Sequence, residues 1–141
     1  MKLTDLKSAL RQAITSIGIT LIPKGDALSG DFDGIVADIN FAGSTIKNQV
    51  RNTSQCIVSS TFNLTFSLKA PSNDVSEAED MILDELDKLK SGFPALLTTL
   101  NALTNTSNDL VLSGIDTEIF STESSDTYLA ATISLTLTHL F

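Results

Sequence analysis

Apolar residues recur at helical spacing in the first seventeen positions, at Leu3, Leu6, Leu10, Ala13, Ile14 and Ile17. Steps of three and four put them on one stripe, with Lys7, Ser8, Arg11 and Gln12 on the other side. The pattern predicts a helix over 3–17, capped by Thr4 or Asp5 and ended by Gly18. Residues 19–23 predict a short strand closed by Pro23, and residues 24–33 are turn-rich. Residues 34–41 return to strand character through Ile35, Val36, Ile39 and Phe41. The polar run from Ala42 to Gln55 reads as a loop of about a dozen residues, a length that usually carries function. Ile46 and Val50 sit four apart inside it with no core to join.

Residues 56–69 give a clear strand, because Phe62, Leu64, Phe66 and Leu68 alternate with Asn63, Thr65 and Ser67. Asp74 to Lys90 predicts a helix, with capping-box spacing at Ser76/Glu79 and an apolar stripe of Val75, Ala78, Ile82, Leu86 and Leu89. Ser91-Gly92 is expected to break it, and Phe93-Pro94-Ala95-Leu96 to start a second short helix running to about residue 104. Leu110 to Phe120 reads as a strand with a bulge at Gly114, and Tyr128 to Phe141 as the last strand. Strands grouped around a helical pair imply an α+β fold, a mainly antiparallel sheet with helices packed on one face. Neither a repeat nor a linker interrupts residues 1–141, so one domain is expected.

The chain has 141 residues, enough for a single domain to bury a core without staples. Nine basic against 17 acidic residues give a net charge of −8, which disfavours grip on a nucleic-acid backbone or an anionic membrane. DNA could still pass beside such a surface without sticking. No apolar run reaches the roughly 20 residues of a membrane span, and the first residues do not read as a signal peptide. Cys56 is the only cysteine; it excludes an intramolecular disulfide and reads as a buried thiol.

Chemistry is sparse. His139, the only histidine, reads as an ordinary strand-end residue, and one Cys with one His is too few for a zinc site. Asp31-Phe32-Asp33-Gly34 lacks the ligand run and closing Glu of a calcium loop. No phosphate-cradling glycine loop or basic aromatic patch is present. The pattern therefore points away from an enzyme and needs no cofactor and no metal. Sheet edges remain as functional surface. The last strand is uncharged from Tyr128 to Thr138; at an edge it would recruit another chain, and in mid-sheet it would be fully paired within its own.

The order of elements, and several stretches of residues, resemble the tail terminator proteins of long-tailed phages, the family of the lambda minor tail protein U. The similar stretches are Met1 to Leu10, the strand Phe62 to Leu68 with Ala70-Pro71 and the acidic helix behind it, Phe93-Pro94-Ala95-Leu96, and the alternating last strand. The similarity is one of pattern and spans nearly the whole chain, with residues 20–55 departing most. It implies a virion structural protein in the neck region of the tail, assembled in the host cytoplasm. Such a protein forms a ring of its own copies, with a hexamer expected. It caps the tail tube protein, stops tube polymerisation and offers a surface to a head-completion or connector protein. DNA would pass through without being held. Under this reading Ile46, Lys47, Val50 and Arg51 are candidate contacts to neighbouring subunits or the tube. Asp26, Asp31, Asp33, Asp80, Asp84 and Asp87 are candidate lumen acids. Other readings are a different neck protein (a tail completion or head–tail joining factor), a small enzyme with an acidic pocket, and a binding module that uses its sheet edge.

Overall fold

A computed structural model of the chain describes residues 2–22, 35–49, 56–69, 75–104, 109–121 and 127–140. Its elements are α1 (Leu3–Ser16), β1 (Ile35–Gln49), β2 (Cys56–Lys69), α2 (Val75–Thr104), β3 (Asp109–Ser121) and β4 (Thr127–Leu140). The turn expected over 24–33 lies outside the described residues.

The stripe of α1 is buried through Leu6, Ala9, Leu10, Ala13 and Ile14. Lys2, rather than Thr4 or Asp5, holds the N-cap position, and no side chain caps it. Its carbonyl instead accepts from the Asp5 and Leu6 amides at 3.1 and 3.0 Å, which leaves Asp5 in the first turn, favourable to the helix dipole. The helix stops where Gly18 takes φ +93°, a conformation that costs glycine little. After it, residues 19–22 make only a single parallel bridge, Leu21 to Ala37, with the Ile22 amide donating to the Ala37 carbonyl at 2.8 Å. The short strand expected there is thus reduced to one bridge.

Two antiparallel hairpins build one four-stranded sheet in the order β1-β2-β4-β3, with α2 as the connection between them. All pairings are antiparallel. The strand β4 therefore lies between β2 and β3, paired on both sides within its own chain as the mid-sheet reading of the uncharged last strand expects; the edges are β1 and β3. Register aligns apolar positions in rows, Ile39–Leu64–Ile133–Ile115, then Ala37–Phe66–Ala131 with Thr117 at its end, then Ile35–Leu68–Leu129–Ile119. On β1, β2 and β4 these rows are largely buried in one cluster with the inward stripes of α1 and α2. One sheet face thus packs on the helices, the layered arrangement the alternation predicts.

The opposite face of the two central strands is a lattice of neutral hydroxyls and amides. Thr61 and Thr136 meet at 3.1 Å, Thr65 and Thr132 at 3.1 Å, and Ser134 donates to Asn63 at 3.2 Å. Cross-strand pairs of this kind stabilise a sheet and keep its wet face free of like-charge repulsion. The expected bulge at Gly114 is present as a register shift between Ser113 and Ile115.

Two expectations fail for instructive reasons. First, α2 is one helix of 30 residues that runs through Ser91-Gly92 and Pro94. Its core positions Ala78, Ile82, Leu86, Leu89, Leu96 and Leu100 step by three, four or seven residues past the expected break. Phe93, packed partly buried against the core, bridges the seven-residue step. A continuous packed stripe outweighs a cost of about 3 kcal/mol for an interior proline. Gly92 has a packing role instead: a Cβ placed there would lie 2.9 Å from Ile17 Cβ and 3.0 Å from Ile17 Cγ2. We expect Gly92→Ala to lower stability by about 1 kcal/mol despite the better helix propensity of alanine. In an Ile17→Ala background the cost should shrink, because the Cγ2 contact is gone, but not vanish, because alanine keeps the Cβ 2.9 Å away; thermal melts of the four proteins would show this partial coupling.

Second, the loop expected from Ala42 is strand as far as Gln49, still paired with Cys56 across the hairpin. Bulges between Phe41 and Gly43 and between Ile46 and Asn48 accommodate it, and Gly43 takes φ +142° at the first. This arm of the edge strand has exposed side chains at Phe41 and Ile46 and no regular apolar alternation, so its residues read as loop. Cys56, read as buried, is half-buried at the start of β2.

Candidate assembly surface

Among the described side chains of the sheet, the arm of β1 carries the most exposed large apolar ones. Burial falls away along one strand: Ala37 and Ile39 are closed off at 1% and 0%, whereas Phe41 is 48% and Ile46 69% exposed. Phe41 pairs with Phe62 across the hairpin, their rings edge to face with centroids 5.6 Å apart. Ile46 pairs with Val58, which in turn pairs with His139 of β4. Ser44 and Ser60 share a hydrogen bond of 2.8 Å between these two rows. Lys47 is the extra residue of the second bulge. Of the candidate contact residues, Ile46 and Lys47 are therefore on the arm, and Val50 and Arg51 lie outside the described residues.

The base of β1 is fixed to α1. Arg11 Nη1 donates to Asp38 Oδ1 at 3.2 Å, and Arg11 Nη2 donates to the Ile22 carbonyl. Asp38 Oδ1 also accepts from the Ile39 amide at 2.8 Å. Helix, connecting segment and edge strand are thus held at one guanidinium whose fork reaches two acceptors.

A second surface lies on the outward side of α2. Asp80, Asp84 and Asp87 are exposed and fall on one stripe by their spacing of four and three. Leu83, 46% exposed, stands among them. No ion pair between described residues involves these three aspartates; Lys88 pairs with Glu85 at 2.8 Å instead. The other candidate lumen acids, Asp26, Asp31 and Asp33, lie outside the described residues.

Sequence reasoning missed Phe41 and Leu83. Phe41 continues the alternation of Ile39, so it reads as core; it is exposed on the edge strand while its partner Phe62 is buried. Leu83 falls off the inward stripe, and an apolar residue flanked by Asp80, Asp84 and Asp87 was the available signal. Among the described residues, no group of three or more His, Cys, Asp or Glu side chains could hold a metal ion.

No family model matches the chain, and no curated protein does. Among solved structures, it is similar to one of an extracellular contractile injection system, the PVC sheath/tube terminator in its extended state, studied by cryo-electron microscopy. The similarity has a TM-score of 0.40 and 10% identity, and covers 99% of this chain and 57% of the other. The chain thus spans little more than half the length of that protein, and a likeness of this degree carries no functional inference.

Proposed function

We propose that the chain is a structural protein of a phage-like tail, a terminator that forms a ring on the head-proximal end of the tail tube. The ring stops tube polymerisation and offers a surface to a head-completion or connector protein. The observation that carries the assembly reading is β1: a 15-residue edge strand that exposes Phe41 and Ile46 beside the buried Phe62 and Val58 of its neighbour. Two large apolar side chains exposed on an edge strand offer a partner contact surface. The resemblance of the sequence pattern to tail terminators names the partner class.

A ring of identical subunits closes through one heterologous contact repeated by rotation, and six copies is the expected number. Its lumen takes acids from the set Asp26, Asp31 and Asp33 or from Asp80, Asp84 and Asp87. Phosphates gain nothing from carboxylates, so DNA slides through such a lumen without being held.

Light scattering on the purified chain tests the first part: closed assemblies of fixed mass, with no monomer-only behaviour when tube protein is present. Polymerising tube protein tests the second. Addition of the chain should cap growing tubes and lower their mean length at least several-fold; tubes that grow unaltered with the chain bound would point to another neck protein. Tubes that grow unaltered with no binding would reject the neck assignment.

A further inference from the structure

The base of the β1 edge is covered in an unusual way. In a regular antiparallel pair, every second residue of an edge strand turns its amide and carbonyl away from the partner strand. Ala37 is such a residue: its carbonyl accepts from the Ile22 amide at 2.8 Å, and Leu21 and Ala37 form a parallel bridge there. The register is unbroken from Ile35 to Phe41, so Ile39, two residues on, presents its amide on the same side. That amide donates to Asp38 Oδ1 at 2.8 Å. Two backbone groups that a further strand would need at this place are therefore taken. One side chain ties both covers down: Arg11 donates through Nη1 to Asp38 Oδ1 at 3.2 Å and through Nη2 to the Ile22 carbonyl. Past Ile39 no described segment pairs with this edge.

We propose that Arg11 and Asp38 form an edge guard, which keeps the base of β1 from adding a strand of a second copy of this chain. An unpaired edge is a template for strand addition, and proteins block it with charged side chains or a covering segment. Both devices act here at neighbouring positions. A strand arriving at Ile39 must offer a neutral carbonyl to an amide that already donates to a carboxylate, and the charge-assisted bond is the stronger one. It must also displace residues 21–22, which Arg11 holds to α1. Buried side chains fix the strand on both sides of the guard, since Ala37 and Ile39 are closed off in the core. Asp38 therefore stays at the edge. The guard divides β1 in two: the backbone is closed at 37–39, and pairing with another copy is confined to the part that exposes Phe41 and Ile46. This goes beyond the assembly reading and does not depend on it, because the same guard acts in a ring and in a monomer.

Two substitutions of one residue in the full chain test it. Asp38→Ala removes the ion pair and the acceptor for the Ile39 amide; Asp38→Asn removes the ion pair and keeps an acceptor. Their comparison separates an opened edge from lost stability. Both are measured at a temperature where circular dichroism shows them folded. Asp38→Ala should gain mass by light scattering as concentration rises, to roughly twice the parent's or more, and lose it again on dilution. Asp38→Asn should follow the parent at every concentration. Hydrogen exchange locates the contact: in dilute Asp38→Ala the Ile39 amide should exchange roughly tenfold faster than in the parent, and regain protection as the mass grows. Ile22→Pro opens the other cover from outside the sheet, by removing the donor to Ala37 and leaving Asp38 in place. It should gain mass in the same way, and it decides the matter if Asp38→Ala does not fold. The proposal is overturned if Asp38→Ala and Asp38→Asn behave alike, or if the added mass leaves Ile39 unprotected. It is overturned equally if the folded test variant keeps the parent's mass at every concentration.

Discussion

Replacing Phe66 with alanine should lower the unfolding free energy by about 4–5 kcal/mol, near the upper end for a buried aromatic. The reason is its row in the sheet. Phe66 pairs with Ala37 on one side and Ala131 on the other, and all three are at most 1% exposed. A large residue between two small ones is how this layer fills its space, so its truncation leaves three small residues side by side. No neighbour in the row can swing into the void. Marginal stability is typically 5–15 kcal/mol, so such a loss would shift the urea midpoint far to the left or leave the chain unfolded. Ala131→Leu alone should overpack and cost about 1–3 kcal/mol. Combined with Phe66→Ala it should recover part of the loss, and the double-mutant cycle would read that coupling directly. Phe41→Ala is the control: Phe41 is half exposed, and its loss should cost far less.

Arg11→Ala should lower stability by about 2–3 kcal/mol, because it removes charge-assisted hydrogen bonds to Asp38 and to the Ile22 carbonyl. The Arg11 and Asp38 side chains are 19% and 25% exposed, so solvent screens the pair only in part. Arg11→Lys should recover less than half, since a point charge cannot serve two acceptors at once. Asp38→Asn keeps an acceptor for the Ile39 amide and loses the ion pair, so it should fall between parent and Arg11→Ala. Hydrogen exchange would locate the effect: amides of α1 and of Ile22 should lose protection before those of β2 and β4. Uniform loss across the sheet would show that Arg11 does not link helix to edge strand specifically.

Where one face of an element is buried along its whole length, its pattern was readable from residues alone. That holds for α1, for β2 between Phe62 and Leu68, and for β4, whose Leu129, Ala131, Ile133, Leu135 and Leu137 are all buried. Even the Gly114 bulge was legible, because a glycine inside a strand pattern has few other uses. Neither the arm nor the Gly92-Pro94 passage was. The arm lies at the sheet edge with two bulges that break its alternation, and its local polarity then looks like loop. The passage contains two residues that disfavour helix locally, and only the packing of Phe93, Leu96 and Leu100 on the sheet holds it helical.

Sequence by itself determined the α+β class, the antiparallel pairing, and the buried and wet faces of the central strands. Those depend on spacing and on residue type, which are local. Only the tertiary structure decided that β4 is central and β1 an edge, that α2 is continuous, and that Phe41, Ile46 and Leu83 are left outside the core. Strand order and the reach of a helical layer are set by contacts between residues far apart in the chain, and a pattern of period two or 3.6 carries no record of them.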